Sequence, residues 1–140
     1  MLSNRSIPRA TVIPVLAYPD VNQAAAWLCD VFGFSVRLRI GNHRVQLNVG
    51  DGAVIVREMR SNELNEALGS GHSVTIRVED ADTHYRWARD HGARITEEPI
   101  THPYGERQYF AEDFAGHLWT FSQSVLDVDP AEWGGLAEEL

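Results

Sequence analysis

The sequence has little of several features that define common classes of protein. It contains a single cysteine, Cys29, so no disulfide can form within the chain, which favours a reducing compartment such as the cytoplasm. No stretch approaches the roughly 18 apolar residues that span a membrane, and residues 1–10 lack the apolar segment of a secretory signal. Cations are scarce as well. Twelve Lys and Arg against 20 Asp and Glu give a net charge of −8, which disfavours nucleic acid or an anionic membrane as the main partner.

What is present is enough for a folded core, since 44% of the 140 residues are apolar. In the first half, Asp20 is expected to cap a helix, with Gln23 at the capping-box position, and Gly33 to end it. Alternating apolar runs bounded by glycine and asparagine turns predict strands around this helix. These strands are Val12–Tyr18, Phe34–Ile40, Arg44–Val49 and Ala53–Met59.

The second half repeats this pattern. His72–Val78 alternates as a strand, a helix capped by Asp80 or Asp82 runs through His91 and is ended by Gly92, and further strands follow from Ala93. Because strand, capped helix, glycine and hairpins recur in the same order, we predict an α+β fold of two β-α-β-β-β modules. The expected organisation is an N-terminal arm at 1–10, a first module at 11–60, a linker at 61–71, a second module at 72–124, and a tail at 125–140 with a short helix.

The most informative stretch runs from Pro103 to Gln123, where two β-rich runs flank Asp113-Phe114-Ala115-Gly116. A four-residue turn with Asp first and Gly last predicts a β-hairpin in which Glu112 pairs with His117. In that register one face is polar yet structured, as expected for a ligand surface. It would carry Arg107, Tyr109, Ala111, Leu118, Thr120 and Ser122. The opposite face would carry Phe110, Trp119 and Phe121, and these aromatic side chains are expected to form core under the helices.

These features together resemble the vicinal oxygen chelate superfamily, which includes glyoxalase I, extradiol dioxygenases and bleomycin-resistance proteins. The resemblance rests on the repeated module and on short motifs over about residues 11–124. The motifs are Ile13-Pro14-Val15-Leu16, Phe32-Gly33-Phe34, Val78-Glu79-Asp80-Ala81-Asp82, Gly92-Ala93 and Asp113 with Gly116-His117. The hairpin and the run Trp119–Gln123 look most like the glyoxalase-like, bleomycin-resistance-type branch. The resemblance implies that curved sheets form a cleft, commonly completed by a homodimer, in some relatives with exchange of modules.

Enzymes of this superfamily bind a divalent metal through His or Glu on the first and last strand of each module. Carried over by motif, those four positions fall on Ile13, Val56, Ser73 and Thr120. Aliphatic and hydroxyl side chains are not the donors that divalent metals select. A slip of one residue would bring in His72 or Pro14 and still leave at most one donor. We therefore predict no metal site and no cofactor.

Without a metal the resemblance implies a bleomycin-resistance-type protein that sequesters a small aromatic or amphipathic molecule, with antibiotics among the candidates. The alternatives are a lyase, isomerase or dioxygenase with a relocated or absent metal site, and a structural partner module. Two roles are open for Arg107, namely binding a ligand oxygen or forming a salt bridge with Glu106 or Glu112. The predicted ligand contacts are Ile13, Val15, Val56, Ser73, Thr75, Arg77, Tyr104, Arg107, Tyr109, Leu118, Thr120 and Ser122.

Overall fold

The computed structural model describes residues 2, 4–63 and 71–138. Contacts along the chain divide it into two compact units, Met1–Ser70 and Gly71–Leu140. Each unit combines one α-helix with a four-stranded mixed sheet, so the predicted α+β fold of repeated β-α-β-β-β modules is confirmed. None of the helices in the described residues is long and apolar enough to cross a membrane.

The first unit follows the predicted element order closely. It contains β1 (Val15–Tyr18), α1 (Val21–Phe32), β2 (Ser35–Ile40), β3 (Arg44–Val49) and β4 (Gly52–Glu58), with strand order β1-β4-β3-β2 and β1 parallel to β4. The Asp20 carboxylate accepts the Gln23 N–H at 3.0 Å and caps α1. Gly33 ends the helix in the left-handed conformation, at φ 82°, which favours glycine.

One face of this sheet is covered by α1. Arg39, whose strand position pairs with Val45, donates a hydrogen bond to Asn22 of the helix. Val56 also pairs with Val45, so it lies on the same helix-covered face and is fully buried. The prediction that Val56 faces a ligand is therefore wrong. Residues 53–56 are all apolar, and such a run has no alternation from which the buried face can be assigned.

The open face of the first sheet is partly covered by the N-terminal arm. Gln46 lies on this face, since it pairs with Ile55 rather than with the helix-facing positions. Its amide donates to the Ser6 carbonyl at 2.7 Å, and the Arg37 guanidinium donates both to Gln46 and to the Arg5 carbonyl. The arm and Arg37 of β2 thus together satisfy the polar groups of a glutamine that is almost completely buried.

The second unit repeats the arrangement. It contains β5 (Val74–Arg77), α2 (Ala81–Asp90), β6 (Arg94–Thr101), β7 (Glu106–Glu112) and β8 (Leu118–Ser124), in strand order β5-β8-β7-β6. Asp80, rather than Asp82, caps α2 by accepting the Thr83 N–H. The predicted helix in the tail is a 3₁₀ turn at Pro130–Trp133. Within the predicted linker a 3₁₀ turn occupies Ser61–Glu63, and residues 64–70 lie outside the described residues.

The β7–β8 hairpin forms where predicted, but its register differs by one residue. Glu112 pairs with Leu118 instead of His117, because the loop is one residue longer than expected. The Asp113 carboxylate accepts the N–H groups of Ala115 and His117, and Gly116 adopts φ 91°. A turn followed by a glycine in a positive-φ conformation is the usual three-residue hairpin loop. The shift moves every β7 side chain to the opposite face from the one predicted.

Candidate functional site

Helix α2 identifies which face of the second sheet is core. Arg107 donates from Nε and Nη2 to the Asp82 carboxylate of α2 at 2.9–3.1 Å, and Tyr109 hydrogen-bonds to His84 of the same helix. Tyr109 is fully buried and stacks on Phe121. The prediction that Arg107 and Tyr109 face a ligand is therefore wrong, because the actual register turns both toward α2. The partner of Arg107 is neither Glu106 nor Glu112.

Burial has a direct effect on the Tyr109 hydroxyl. Desolvation raises the pKa of Tyr109 above its ordinary value of 10, since the apolar surroundings disfavour the charged phenolate. A neutral hydroxyl bonded to His84 anchors β7 to α2. Trp119 and Phe121 share this face and are buried, as predicted. Phe110 does not share it, because its pairing with Thr120 places it on the other side of the sheet.

The open face of the second sheet carries a mixed polar and apolar surface. Thr75 pairs with Thr120, Arg77 with Ser122, and Leu118 begins the same strand. Thr75, Arg77 and Leu118 are exposed, whereas Thr120 and Ser122 of β8 are buried. Cross-strand pairing adds two residues that the sequence had not indicated as ligand contacts. The open face therefore comprises Thr75, Arg77, Gln108, Phe110, Leu118, Thr120 and Ser122.

A hydrogen-bonded chain orders the polar groups of this face. The Tyr104 hydroxyl donates to Gln108 Oε1 at 3.0 Å, Gln108 Nε2 donates to Ser122 Oγ at 3.0 Å, and Ser122 Oγ donates to Glu106 Oε1 at 2.6 Å. Every donor has a defined acceptor, so the direction of each hydroxyl and amide is fixed. Such pre-ordered groups lose little freedom when they orient a guest molecule.

The carboxylate at the end of this chain is held ionised. Burial disfavours the charge of Glu106, but hydrogen bonds from Ser122 and Ser124 together with the charge of Arg77 outweigh that effect and lower its pKa below the ordinary value of 4.5. The Arg77 guanidinium itself donates to Ser124 Oγ at 2.9 Å. One cation and one anion thus flank the hydroxyl groups of the open face.

The remaining predicted contacts lie at the ends of strands or in the first unit. Ser73 is exposed immediately before β5, and Tyr104 is half-buried before β7. In the first unit, Ile13 precedes β1 and is half-buried, while Val15 pairs with Ile55 on the open face and is exposed. The second sheet therefore brings together Thr75, Arg77, Leu118, Thr120 and Ser122, and does not include Arg107 or Tyr109 on that face.

The side chains of the open sheet faces offer few donors for a divalent metal. In the described residues, no group of three or more His, Cys, Asp or Glu side chains could hold an ion. The paired open-face positions of the outer parallel strands hold Val15 with Ile55 and Thr75 with Thr120, which offer no carboxylate, imidazole or thiolate. His102 Nε2 is buried with no hydrogen-bond partner in the described part of the chain, yet it has no such group around it.

Comparison with known proteins agrees with this architecture. The family model described as Glyoxalase/Bleomycin resistance protein/Dioxygenase superfamily matches residues 10–121, most of the chain. The chain therefore belongs to this superfamily, as the sequence resemblance had suggested. A comparison with the curated proteins found no match.

Solved structures show the same fold. TioX from Micromonospora sp. ML1 is 34% identical, with 83% of this chain and 99% of that chain covered and a TM-score of 0.69. A glyoxalase/bleomycin resistance protein/dioxygenase family enzyme from Burkholderia phytofirmans PsJN is 17% identical, with 81% and 97% covered and a TM-score of 0.69. Lactoylglutathione lyase from Agrobacterium tumefaciens is 18% identical, with 83% and 94% covered and a TM-score of 0.63. The last two establish similarity of fold alone.

Proposed function

We propose that this chain is a metal-independent binding protein of the bleomycin-resistance type, which sequesters a small aromatic or amphipathic molecule. The observation that carries the proposal is the chemistry of the open face of the second sheet. Hydroxyl, amide and guanidinium groups alternate there with Phe110 and Leu118, and the positions where superfamily enzymes hold a metal lack suitable donors. A few oriented polar groups among apolar side chains are typical of small-molecule sites.

Each part of this face has a role in the proposal. Phe110 offers a ring for a flat guest, and Leu118 adds exposed apolar surface. Arg77 supplies an exposed cation for a carboxylate, phenolate or carbonyl oxygen. Thr120 and Ser122 are buried within this face, and the Ser122 hydroxyl holds Gln108 and Glu106 in position. Sequestration needs no reacting group, so the ligand leaves the protein chemically unchanged.

The test is a calorimetric titration with a panel of planar aromatic antibiotics, carried out with and without EDTA. We expect saturable binding of at least one compound, an affinity unaffected by the chelator, and recovery of the compound unaltered by mass spectrometry. Conversion of the compound to a product, or loss of binding in EDTA, would favour the lyase, isomerase or dioxygenase alternative. Failure of the whole panel to bind would contradict the proposal.

Two matched substitutions locate the binding surface. Arg77→Met removes a cation from the open face, whereas Arg86→Met removes an exposed cation from α2, on the other side of the sheet. An anionic or carbonyl-bearing ligand should lose about tenfold in affinity with Arg77→Met, because a charged hydrogen bond contributes about 1.5–3 kcal/mol before screening by water. Arg86→Met should leave the affinity unchanged. Equal effects of both changes would place binding elsewhere.

The proposal includes a homodimer acting in the cytoplasm. Two of the edge strands, β2 and β6, carry exposed apolar side chains, Val36 at 39% and Ile100 at 52% exposure. Apolar groups on an unpaired strand edge favour pairing with another copy. Light scattering after size exclusion should give twice the 15.7 kDa mass of one chain. A monomer at micromolar concentration would contradict this part of the proposal.

A further inference from the structure

A cavity of about 500 Å³ lies beside the C-terminal tail, within the second unit. Its size is within the range of small-ligand sites. Its walls combine two aromatic rings, two carboxylates and several apolar groups, among them Tyr104, Glu106, Leu126, Asp127, Pro130 and Trp133. We propose that this tail pocket binds an organic cation, a protonated or quaternary amine attached to an apolar or aromatic body. The inference goes beyond the proposed function and does not depend on it.

The tail is held in place by main-chain contacts that only glycine permits. The N–H groups of Val125 and Leu126 both donate to the Gly105 carbonyl, at 2.8 and 3.2 Å. Gly105 has φ 84°, and a Cβ there would lie 1.8 Å from the Leu126 carbonyl oxygen. The close approach of the tail to β7 therefore requires glycine at this position. The pocket is a built feature of the fold rather than a loose end of chain.

The 3₁₀ turn then places the second aromatic ring. Asp129 caps the turn by accepting the Ala131 N–H, and Gly134 ends it in the left-handed conformation. Trp133 meets Tyr104 edge to face, with centroids 5.8 Å apart and planes at 66°. Tyr104 is in turn backed by His102, whose ring is parallel to it at 5.0 Å. Two inclined rings, one of them fixed from behind, form an aromatic corner.

The charges around this corner select a cation. Glu106 and Asp127 contribute two negative charges to the pocket walls, whereas the positive charge of Arg77 acts on Glu106 from outside the walls. Glu106 remains ionised because Ser122 and Ser124 donate to it, so the negative charge persists at neutral pH. The faces of Tyr and Trp rings carry negative potential and attract ammonium groups. The net charge of −8 acts in the same direction on approaching ligands.

Three probes of similar size separate charge from shape. The probes are 2-phenylethylamine, 2-phenylethanol and 3-phenylpropionate. Their binding at low salt is measured by calorimetry and by the shift of the Trp133 indole N–H signal in NMR spectra. We expect the amine to bind five- to tenfold more tightly than the alcohol, and the carboxylate to bind most weakly. Equal affinity of the amine and the alcohol, or no binding of the amine, would overturn the proposal.

Variants of the full chain assign the effect to the pocket. Glu106→Gln should weaken the amine about fivefold and leave the alcohol unchanged, whereas Glu97→Gln, an exposed site on β6 with the same change of charge, should alter neither. Trp133→Leu should lower the affinity for both the amine and the alcohol. Because Trp133 lies in an exposed turn, the substitution should leave the protein folded. An effect of Glu97→Gln equal to that of Glu106→Gln, or no effect of Trp133→Leu, would overturn the proposal.

Arg77→Met separates this inference from the proposed function. The substitution is expected to lower the affinity of ligands for the open sheet face. It also removes the cation near Glu106, so the affinity of the tail pocket for the amine should rise about twofold. If no antibiotic binds the open face, the amine result is unaffected. Weaker amine binding in Arg77→Met would show that a cation is not what the pocket selects.

Discussion

Replacing Asp113 with alanine tests how the turn of the β7–β8 hairpin fixes the face that each side chain presents. The Asp113 carboxylate, itself 4% exposed, accepts three hydrogen bonds at 3.0 Å, from the N–H groups of Ala115 and His117 and from the Trp119 indole. Alanine leaves all three donors without this acceptor. Two of these bonds are fully buried, and each buried donor left unsatisfied costs about 1–3 kcal/mol. We therefore expect a loss of about 2–6 kcal/mol in the free energy of unfolding.

Urea denaturation followed by far-UV circular dichroism measures this loss, provided that the slope with urea is the same in both proteins. Asp113→Asn keeps one oxygen for the two backbone donors but cannot accept from the indole, so about 1–3 kcal/mol should be lost. Asp51→Ala, in the exposed turn between β3 and β4, is the matched control and should change stability by less than about 0.5 kcal/mol. A loss below about 1 kcal/mol for Asp113→Ala, or equal losses for alanine and asparagine, would refute the reasoning.

Three further predictions concern Tyr109 in the core, the stability that Glu63 contributes at low pH, and Gly105 beside the tail. Tyr109→Phe removes the hydrogen bond to His84 and should lower the free energy of unfolding by about 1 kcal/mol. Because burial raises the pKa of Tyr109 above 10, the stability of the wild type should also fall as the pH rises past 10. Thermal melts should show a smaller fall in the variant. Hydrogen bonding to Arg57 lowers the pKa of Glu63 from 4.5 to about 2, so the stability it contributes is present above pH 4.5 and lost as pH falls toward 2. Glu63→Gln should therefore destabilise at pH 7 but not at pH 2 in the same melts. Gly105→Ala should expose the amides of Val125 and Leu126 to faster hydrogen exchange, and unchanged exchange of these two amides would contradict the prediction.

The helix ends could be read from the sequence because their causes are local. Asp20 caps α1 and Asp80 caps α2 through bonds to backbone groups three residues away, and Gly33 supplies a conformation that other residues adopt reluctantly. None of these features depends on the rest of the fold. The repeat of the module followed from the same local signals, so the fold class was predictable as well.

The faces of the strands were harder to predict, because a single residue of register decides them. A turn beginning at Asp113 can close with two or three loop residues, and the longer loop is stabilised by the Asp113 carboxylate, which accepts the N–H groups of Ala115 and His117. The resulting shift buries Tyr109 and turns Arg107 to Asp82, while it brings Gln108 and Phe110 to the open face. Three-residue loops with glycine in the left-handed conformation are the signal that could have found it.

The tail pocket was beyond prediction for a different reason. Its aromatic corner is the contact between Tyr104 and Trp133, which lie far apart in the sequence. No pattern in the sequence indicates that the tail packs beside β7. The sequence predicted a short helix in the tail, but not the surface against which the turn packs. Gly105 is the one local sign, since a positive φ beside a strand marks a close approach of another segment.

The central claim is that a fold used for metal chemistry in related enzymes here binds a small molecule without a metal. The most direct test is metal analysis of protein purified without chelators, combined with titration of a bound antibiotic before and after EDTA. We predict no stoichiometric divalent ion and an affinity that EDTA does not change. One divalent ion per chain, held by Glu58, His72 or His102 and needed for binding, would contradict the claim.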